Sequence, residues 1–166
     1  MCGIAGLVNL NGEAVSPVIL KKMTDAIAHR GPDGEGQWVD RNIGLGHRRL
    51  AIIDLSPAGH QPMVSSDHRY VITYNGEIYN YRELRADLAS GGFRFRSQSD
   101  TEVLLHALAA WGVKALGKLN GMFAFALWDK QEQTLLLARD RYGIKPLYYT
   151  TIGNTLAFGS EQKAIL

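Results

Sequence analysis

GMFAFALWDKQEQTLLLAR, residues 121–139, decides the fold class. An apolar run, Gly121–Trp128, meets the polar DKQEQ turn and is answered by a second run, Thr134–Ala138, which reads as a β-hairpin. Another hairpin follows at once, with Leu147–Thr151 and Thr155–Gly159 reversing at Gly153-Asn154. Strands joined by turns this short can pair only antiparallel, since a parallel crossover needs a dozen or more residues. A doubly wound sheet would need helices between most strands, and this half of the chain lacks them. The expectation is α+β: layers of mostly antiparallel sheet covered by helix.

Working outward, Phe93 and Phe95 alternate as a short strand would. Ser99 and Glu102 have the spacing of a capping box, and Leu104, Leu105, Leu108 and Trp111 continue as one helical stripe. Asn80 can cap a helix carrying Tyr81, Leu84 and Leu88 and closed by Gly91-Gly92. Tyr70–Tyr74 reads as a strand that stops at Asn75-Gly76. Strands are also expected at Gly36–Val39, at Ile43–Ile53 and at Ile4–Leu10, with loops at Arg30–Gly36 and Asp54–Pro62. Ser16-Pro17 starts a helix whose stripe is Ile19, Met23 and Ile27. The C-terminal aromatics Phe123, Phe125, Trp128, Tyr148 and Tyr149 read as core, with some of the last ones free to face a partner domain.

Composition narrows the function classes. The 166 residues are 46% hydrophobic and 20% charged, which excludes a disordered chain, and the length favours one domain spanning residues 1–166. A net charge of +2 offers no basic stripe for tracking phosphates, so no nucleic acid is expected. No apolar run is long enough to span a membrane, and the N-terminal segment lacks a signal peptide's basic region. A single cysteine cannot form an intrachain disulfide, and a cytoplasmic location is expected. The final Lys163–Leu166 reads as a helix start without an end, as if the domain continued. The five histidines, His29, His47, His60, His68 and His106, lack metal-ligand spacing, and no phosphate-binding GxxxxGK[ST] loop occurs. Neither a metal nor ATP is expected in this chain.

Cys2 is the residue that calls for chemistry. A near-terminal cysteine is commonly a small apolar filler. Removal of Met1, however, would leave Cys2 with a thiol and a free α-amine, a nucleophile and a base in one residue. At pH 7 a thiol of ordinary pKa is about 3% thiolate, whereas an ordinary α-amine is about 17% neutral. The amine can therefore take the thiol proton during attack and return it to a leaving group. Such a nucleophile needs an oxyanion site. Asn75-Gly76 offers a side-chain amide and a backbone N–H, although the same pair is also the commonest hairpin turn. The EIYN that follows leads into a helix rather than a return strand.

The segments MCGIAG (1–6), HRGPDG (29–34), GHRRLAIIDLSPAGHQP (46–62), YNGEIYN (74–80), SDTEVLL (99–105), LNGMFAFALWD (119–129), RDRYGIKPLYY (139–149) and FGSE (158–161) resemble the class II glutamine amidotransferases. More narrowly, they resemble the glutaminase domain of the glutamine-hydrolysing asparagine synthetases. The resemblance implies a four-layer αββα N-terminal-nucleophile hydrolase sandwich that converts L-glutamine to L-glutamate and ammonia. It implies Cys2 as the nucleophile of a γ-glutamyl thioester, Asn75 and Gly76 as the oxyanion pair, Arg49 on the substrate carboxylate and Asp100 on its ammonium. Leu50, Ile52 and Glu77 complete the implied substrate shell, while Arg30 and Asp33 would order the new N-terminus. No cofactor is implied for glutamine hydrolysis. ATP and Mg2+ belong to a C-terminal synthetase domain absent from this chain, which in the whole protein would amidate aspartate. A homodimer is left open.

The residues can be weighed without the family. Glutamine is a zwitterion with a neutral tail, so its pocket needs one fixed cation, one fixed anion and a neutral region by the nucleophile. Arginine suits a carboxylate through its bidentate fork, yet Arg30, Arg48 and Arg49 could each be a solvated charge. Asp100 in the first helical turn is equally explained by the helix dipole. RGPD at 30–33 could simply be a turn closed by its own ion pair. Two other functions remain: a glutamine-sensing module without catalysis, and an N-terminal amidohydrolase acting on a different small amide.

Overall fold

The computed structural model describes residues 1–166 as nine strands and three α-helices, joined by short 3-10 turns. In chain order these are β1 (Gly3–Asn9), α1 (Pro17–Ala26), β2 (Gly34–Asp40), β3 (Ile43–Arg49), β4 (Met63–Val64), β5 (Tyr70–Ile78), α2 (Tyr81–Ser90), α3 (Asp100–Trp111), β6 (Gly121–Asp129), β7 (Thr134–Arg139), β8 (Tyr148–Ile152) and β9 (Thr155–Gly159). They form two sheets, ordered β2-β3-β1-β9-β8 and β4-β5-β6-β7, and the ladders are antiparallel throughout. Both C-terminal hairpins pair as their turn signals require.

The strand sequences explain the layering. In β6, Phe123, Phe125 and Leu127 face a cluster with α2 and α3, while Ala126 and Trp128 pack with Val8, Ile43, Leu45 and Phe158 of the other sheet. In β1, Ala5 and Leu7 meet Leu20, Met23 and Ile27 beside α1, and Val8 turns inward. Strands apolar on both faces must be covered on both faces. The result is four layers: α1, the five-stranded sheet, the four-stranded sheet, then α2 and α3. Leu104, Leu105 and Leu108 of α3 are buried, each stabilising the fold by about 1.5–3 kcal/mol. Gly6 is required where the sheets meet, because a Cβ there would lie 2.3 Å from the Phe158 ring.

Several local expectations are corrected by tertiary contacts. Asn75-Gly76 is not a turn: β5 runs through it to Ile78, pairing Asn75 with Ala124 and Gly76 with Phe123. Glycine is needed there because a Cβ would sit 2.4 Å from the Met122 carbonyl oxygen. β3 ends at Arg49 rather than Ile53. Phe93 and Phe95 form no strand; their rings pack on His106 at centroid distances of 5.1 and 5.0 Å. Ser99 does cap α3, accepting from the Thr101 N–H at 3.1 Å, but Glu102 does not complete a box. Its carboxylate takes the N–H groups of Arg96 and Ser97 instead, pinning the loop before the helix. The Asn80 side chain bridges to Lys118 and Asn120 rather than capping α2. Tyr148 and Tyr149 are exposed, not core, because β8 is an edge strand. Arg30 and Asp33 do not pair with each other; Arg30 pairs with Glu161. No helix is long and apolar enough to cross a membrane.

Candidate active site

A cleft of about 200 Å³ opens where β1 begins, β3 and β5 end and α3 starts. Because β1 and β3 are antiparallel with Gly3 opposite Arg48, the start of one strand brings Cys2 beside the Arg49-Leu50 end of the other. The Leu50 N–H reaches the Cys2 sulfur at 3.3 Å, and the thiol lies 3.5 Å from the Leu50 carbonyl oxygen. Burial pushes the Cys2 thiol above its ordinary pKa, against the opposing pull of the Leu50 contact, the chain's N-terminal charge and Arg49. A thiol in that state needs a base before it can attack.

Asn75 is 1% exposed, lines the cleft, and its amide Nδ2 has no hydrogen-bond partner. A buried donor left open is costly in a resting protein, so it marks a place where an acceptor is to arrive. Arg49 is oriented by its own loop: Nη1 donates to the Ser56 carbonyl at 3.0 Å, and Nη2 donates to that of Asp54. A guanidinium has five N–H donors, so donors remain for a substrate. Asp100 accepts from the Tyr74 hydroxyl at 2.8 Å and the Ile78 N–H at 3.0 Å. Burial raises its pKa, with those two hydrogen bonds acting against the rise. A cation arriving beside it would relieve that penalty.

Every implied catalytic and substrate residue faces this one cleft: Cys2, Arg49, Leu50, Ile52, Asn75, Gly76, Glu77 and Asp100. Ile52 stands at the open rim, 67% exposed. Arg30 and Asp33 lie behind the wall. Arg30 Nε donates to the Cys2 carbonyl at 2.9 Å, and Asp33 accepts from the Ala51 N–H at 2.9 Å. The RGPD turn thus touches both chain segments that flank the sulfur.

Sequence reasoning overlooked three residues. Gln61 accepts from the Tyr74 N–H at 2.6 Å and donates to Thr101 at 3.2 Å, so one amide ties β5 to α3. Its signal was its place in the GHQP segment. His47, fully buried, contacts the Tyr74 carbonyl at 3.1 Å and links the two sheets one residue before Asn75. Burial lowers its pKa to about 3, so it is a neutral strut. Lys145, 5% exposed, also lines the cleft, and burial lowers its pKa. No local pattern distinguishes a strut histidine or a buried lysine from surface ones. No group of three His, Cys, Asp or Glu side chains is placed to hold a metal.

Comparison with known proteins places this geometry. A family model described as a glutamine amidotransferase domain matches residues 1–166. The chain is 47% identical over 169 residues to glutamine-hydrolyzing asparagine synthetase 1 of Bacillus subtilis (strain 168), covering 100% of the chain and 27% of the relative. It is 43% identical over 178 residues to the amidase chry2 of Gibberella zeae, covering 100% of the chain and 26% of the relative. The chain therefore spans about a quarter of the length of these curated relatives. In fold it matches glutamine phosphoribosylpyrophosphate amidotransferase of B. subtilis with a TM-score of 0.83, at 24% identity over 99% of this chain and 43% of that one. The chain belongs to the class II glutamine amidotransferases, enzymes of the N-terminal-nucleophile hydrolase fold, and is related to the glutamine-hydrolysing asparagine synthetases.

Proposed function

We propose that Cys2, once Met1 is removed, hydrolyses L-glutamine to L-glutamate and ammonia. The observation that carries this reading is the open amide nitrogen of buried Asn75 in the same cleft as the Cys2 sulfur, a cleft that Arg49 and Asp100 also line. Arg49 takes the substrate α-carboxylate and Asp100 its α-ammonium, which leaves the neutral side-chain amide directed at the sulfur. Glu77, Ile52 and the Leu50 backbone complete the substrate shell.

The chemistry then balances without a further group. The Cys2 α-amine accepts the thiol proton as sulfur attacks the amide carbon, and Asn75 Nδ2 and the Gly76 N–H stabilise the oxyanion. On collapse the C–N bond breaks, the amine protonates the departing nitrogen, and ammonia leaves a γ-glutamyl thioester. Water attacks that thioester while the amine takes its proton. The C–S bond breaks and the proton returns to sulfur, releasing glutamate.

We assign the ammonia to an ATP- and Mg2+-dependent synthetase domain elsewhere in the whole protein, with aspartate as acceptor. Identity to a named asparagine synthetase supports that acceptor. The similar identity to a protein named an amidase supports a second reading, another carboxylate acceptor, on the same glutaminase chemistry. Intact-mass measurement before and after a glutamine-analogue electrophile tests the glutaminase step. Loss of Met1 and a single adduct on Cys2 are expected. An unmodified Cys2 in protein that still releases ammonia from glutamine overturns the mechanism.

A further inference from the structure

Behind the cleft, Cys2 is held by a charge cluster that glutamine would never touch. The Arg30 side chain is 8% exposed and makes two directed contacts: Nε to the Cys2 carbonyl and Nη1 to Glu161 Oε1, each 2.9 Å. Its third nitrogen, Nη2, is buried without a partner. Glu161 is shared among three partners, also meeting His29 Nε2 at 2.9 Å and Lys163 Nζ at 3.1 Å. The same short segment also grips the chain two residues further on. Ser160 Oγ accepts the Ile4 N–H at 2.9 Å, and the Ser160 N–H donates to the Ile4 carbonyl at 2.9 Å. Residues 160–161, just past β9, therefore hold the backbone on the C-terminal side of Cys2 at three points, the Arg30 contact being one of them.

That matters because of where the nucleophile sits. After loss of Met1, Cys2 has no preceding residue: Leu50 holds its sulfur, but its backbone, and with it the amine, is tethered only from its carbonyl side. The carbonyl contact is made by a long, many-rotamer side chain whose one acidic partner is Glu161. Without that carboxylate, a nearly buried guanidinium with one nitrogen already unsatisfied would turn toward water and release the carbonyl.

We propose that Glu161 is a positioning residue for the nucleophile: it holds Arg30, and through Arg30 the Cys2 carbonyl, so that sulfur and α-amine keep the geometry the reaction needs. The turnover consequence rests on the glutaminase reading; the coupling through Arg30 does not. A misplaced nucleophile loses rate steeply while the carboxylate and ammonium contacts at Arg49 and Asp100 are untouched.

The test is a double-mutant cycle on Met-processed protein with Glu161→Ala, Arg30→Ala and the pair, with Glu161→Gln as the variant of least steric change. Two readouts are taken: glutamine kinetics, and the alkylation rate of Cys2 by iodoacetamide. Glu161→Ala should lower kcat by about ten- to a hundredfold while KM moves by no more than about twofold. The pair should be no slower than Arg30→Ala alone, in turnover and in alkylation, because Glu161 acts only through Arg30. Glu161→Gln should fall between wild type and Glu161→Ala. Losses that multiply in the pair, or a KM increase at unchanged kcat, overturn the proposal. If wild type releases no ammonia from glutamine, the functional reading fails instead, and the alkylation cycle still decides whether Glu161 works through Arg30.

Discussion

The backbone N–H of Leu50 points at the sulfur of Cys2 from 3.3 Å, across 48 residues of chain. That contact follows from the antiparallel register of β1 on β3, which sets Gly3 opposite Arg48 and so puts Arg49 next to the nucleophile. The Arg49 guanidinium and the Cys2 thiol are thereby carried at neighbouring strand ends of one sheet. Asn75 and Asp100 come from the other sheet and its helix, so the cleft is assembled across the sheet interface.

Cys2→Ala should abolish ammonia release and leave glutamine binding within a few-fold of wild type, since the thioester disappears but the charged contacts stay. A block to Met1 removal should be equally silencing, because the base is then locked in a peptide bond. Calorimetric binding and an ammonia assay, with mass spectrometry of the N-terminus, check both. Full turnover by protein that retains Met1 counts against the amine as base.

Asn75→Ala should lower kcat by about 10²–10³, roughly 2.7–4 kcal/mol, by removing one of two oxyanion donors. Ground-state affinity should change little, since the contact is made at the transition state. Because Nδ2 has no partner at rest, the melting temperature should not fall. A raised dissociation constant with unchanged kcat would instead make Asn75 a binding residue.

Asp100→Asn and Arg49→Ala should each cost about 2–5 kcal/mol in kcat/KM, the range for breaking a desolvated charged contact. Alkylation of Cys2 by a small neutral reagent should fall far less, as that reagent uses neither contact. Parallel losses in both measurements would remove this pair from substrate recognition.

Acid stability should depend on Glu102. Its carboxyl pKa is lowered to about 2; burial opposes the drop, and the His106 ring 3.7 Å away together with the Arg96 and Ser97 hydrogen bonds overcomes it. An ordinary glutamate titrates near 4.3, so the unfolded chain binds the proton more tightly. The stabilisation is present above that value and is lost as pH falls toward 2. His47 adds to the same limb, since its pKa of about 3 lies below the ordinary histidine value and the unfolded state again takes up the proton first. Urea unfolding from pH 7 to pH 3 should show Glu102→Gln less stable than wild type at pH 7, with the gap closing on acidification. A gap independent of pH would mean that the carboxylate charge is not what matters.

Much of the molecule was legible in the chain. The two C-terminal hairpins and the helix stripe of α3 are signals of period and turn, carried within a few residues; the α1 stripe is corrected at its start, where Ile19 is exposed and Leu20 is buried instead. Those signals suffice for layers of antiparallel sheet covered by helix. Cys2 stood out for a different reason: the meeting of a thiol and, after loss of Met1, a free α-amine in one residue depends on position in the chain, not on neighbours in space.

The remainder depended on contacts between distant segments. Asn75-Gly76 carries the strongest local turn signal, yet it lies inside β5 because nine residues pair in register with β6. Glu102 has capping-box spacing, but the Arg96 and Ser97 N–H groups are the donors it meets. Phe93 and Phe95 alternate like a strand, but no neighbouring strand exists for them and the His106 ring does. Arg30 could have closed on Asp33 within its own turn; the fold instead supplies Glu161, 131 residues away. Turn propensity and side-chain periodicity are local energies and can be read along the chain. Which donor satisfies a buried acceptor is decided by what the sheets and helices bring within about 3 Å of it, and only the tertiary structure settles that.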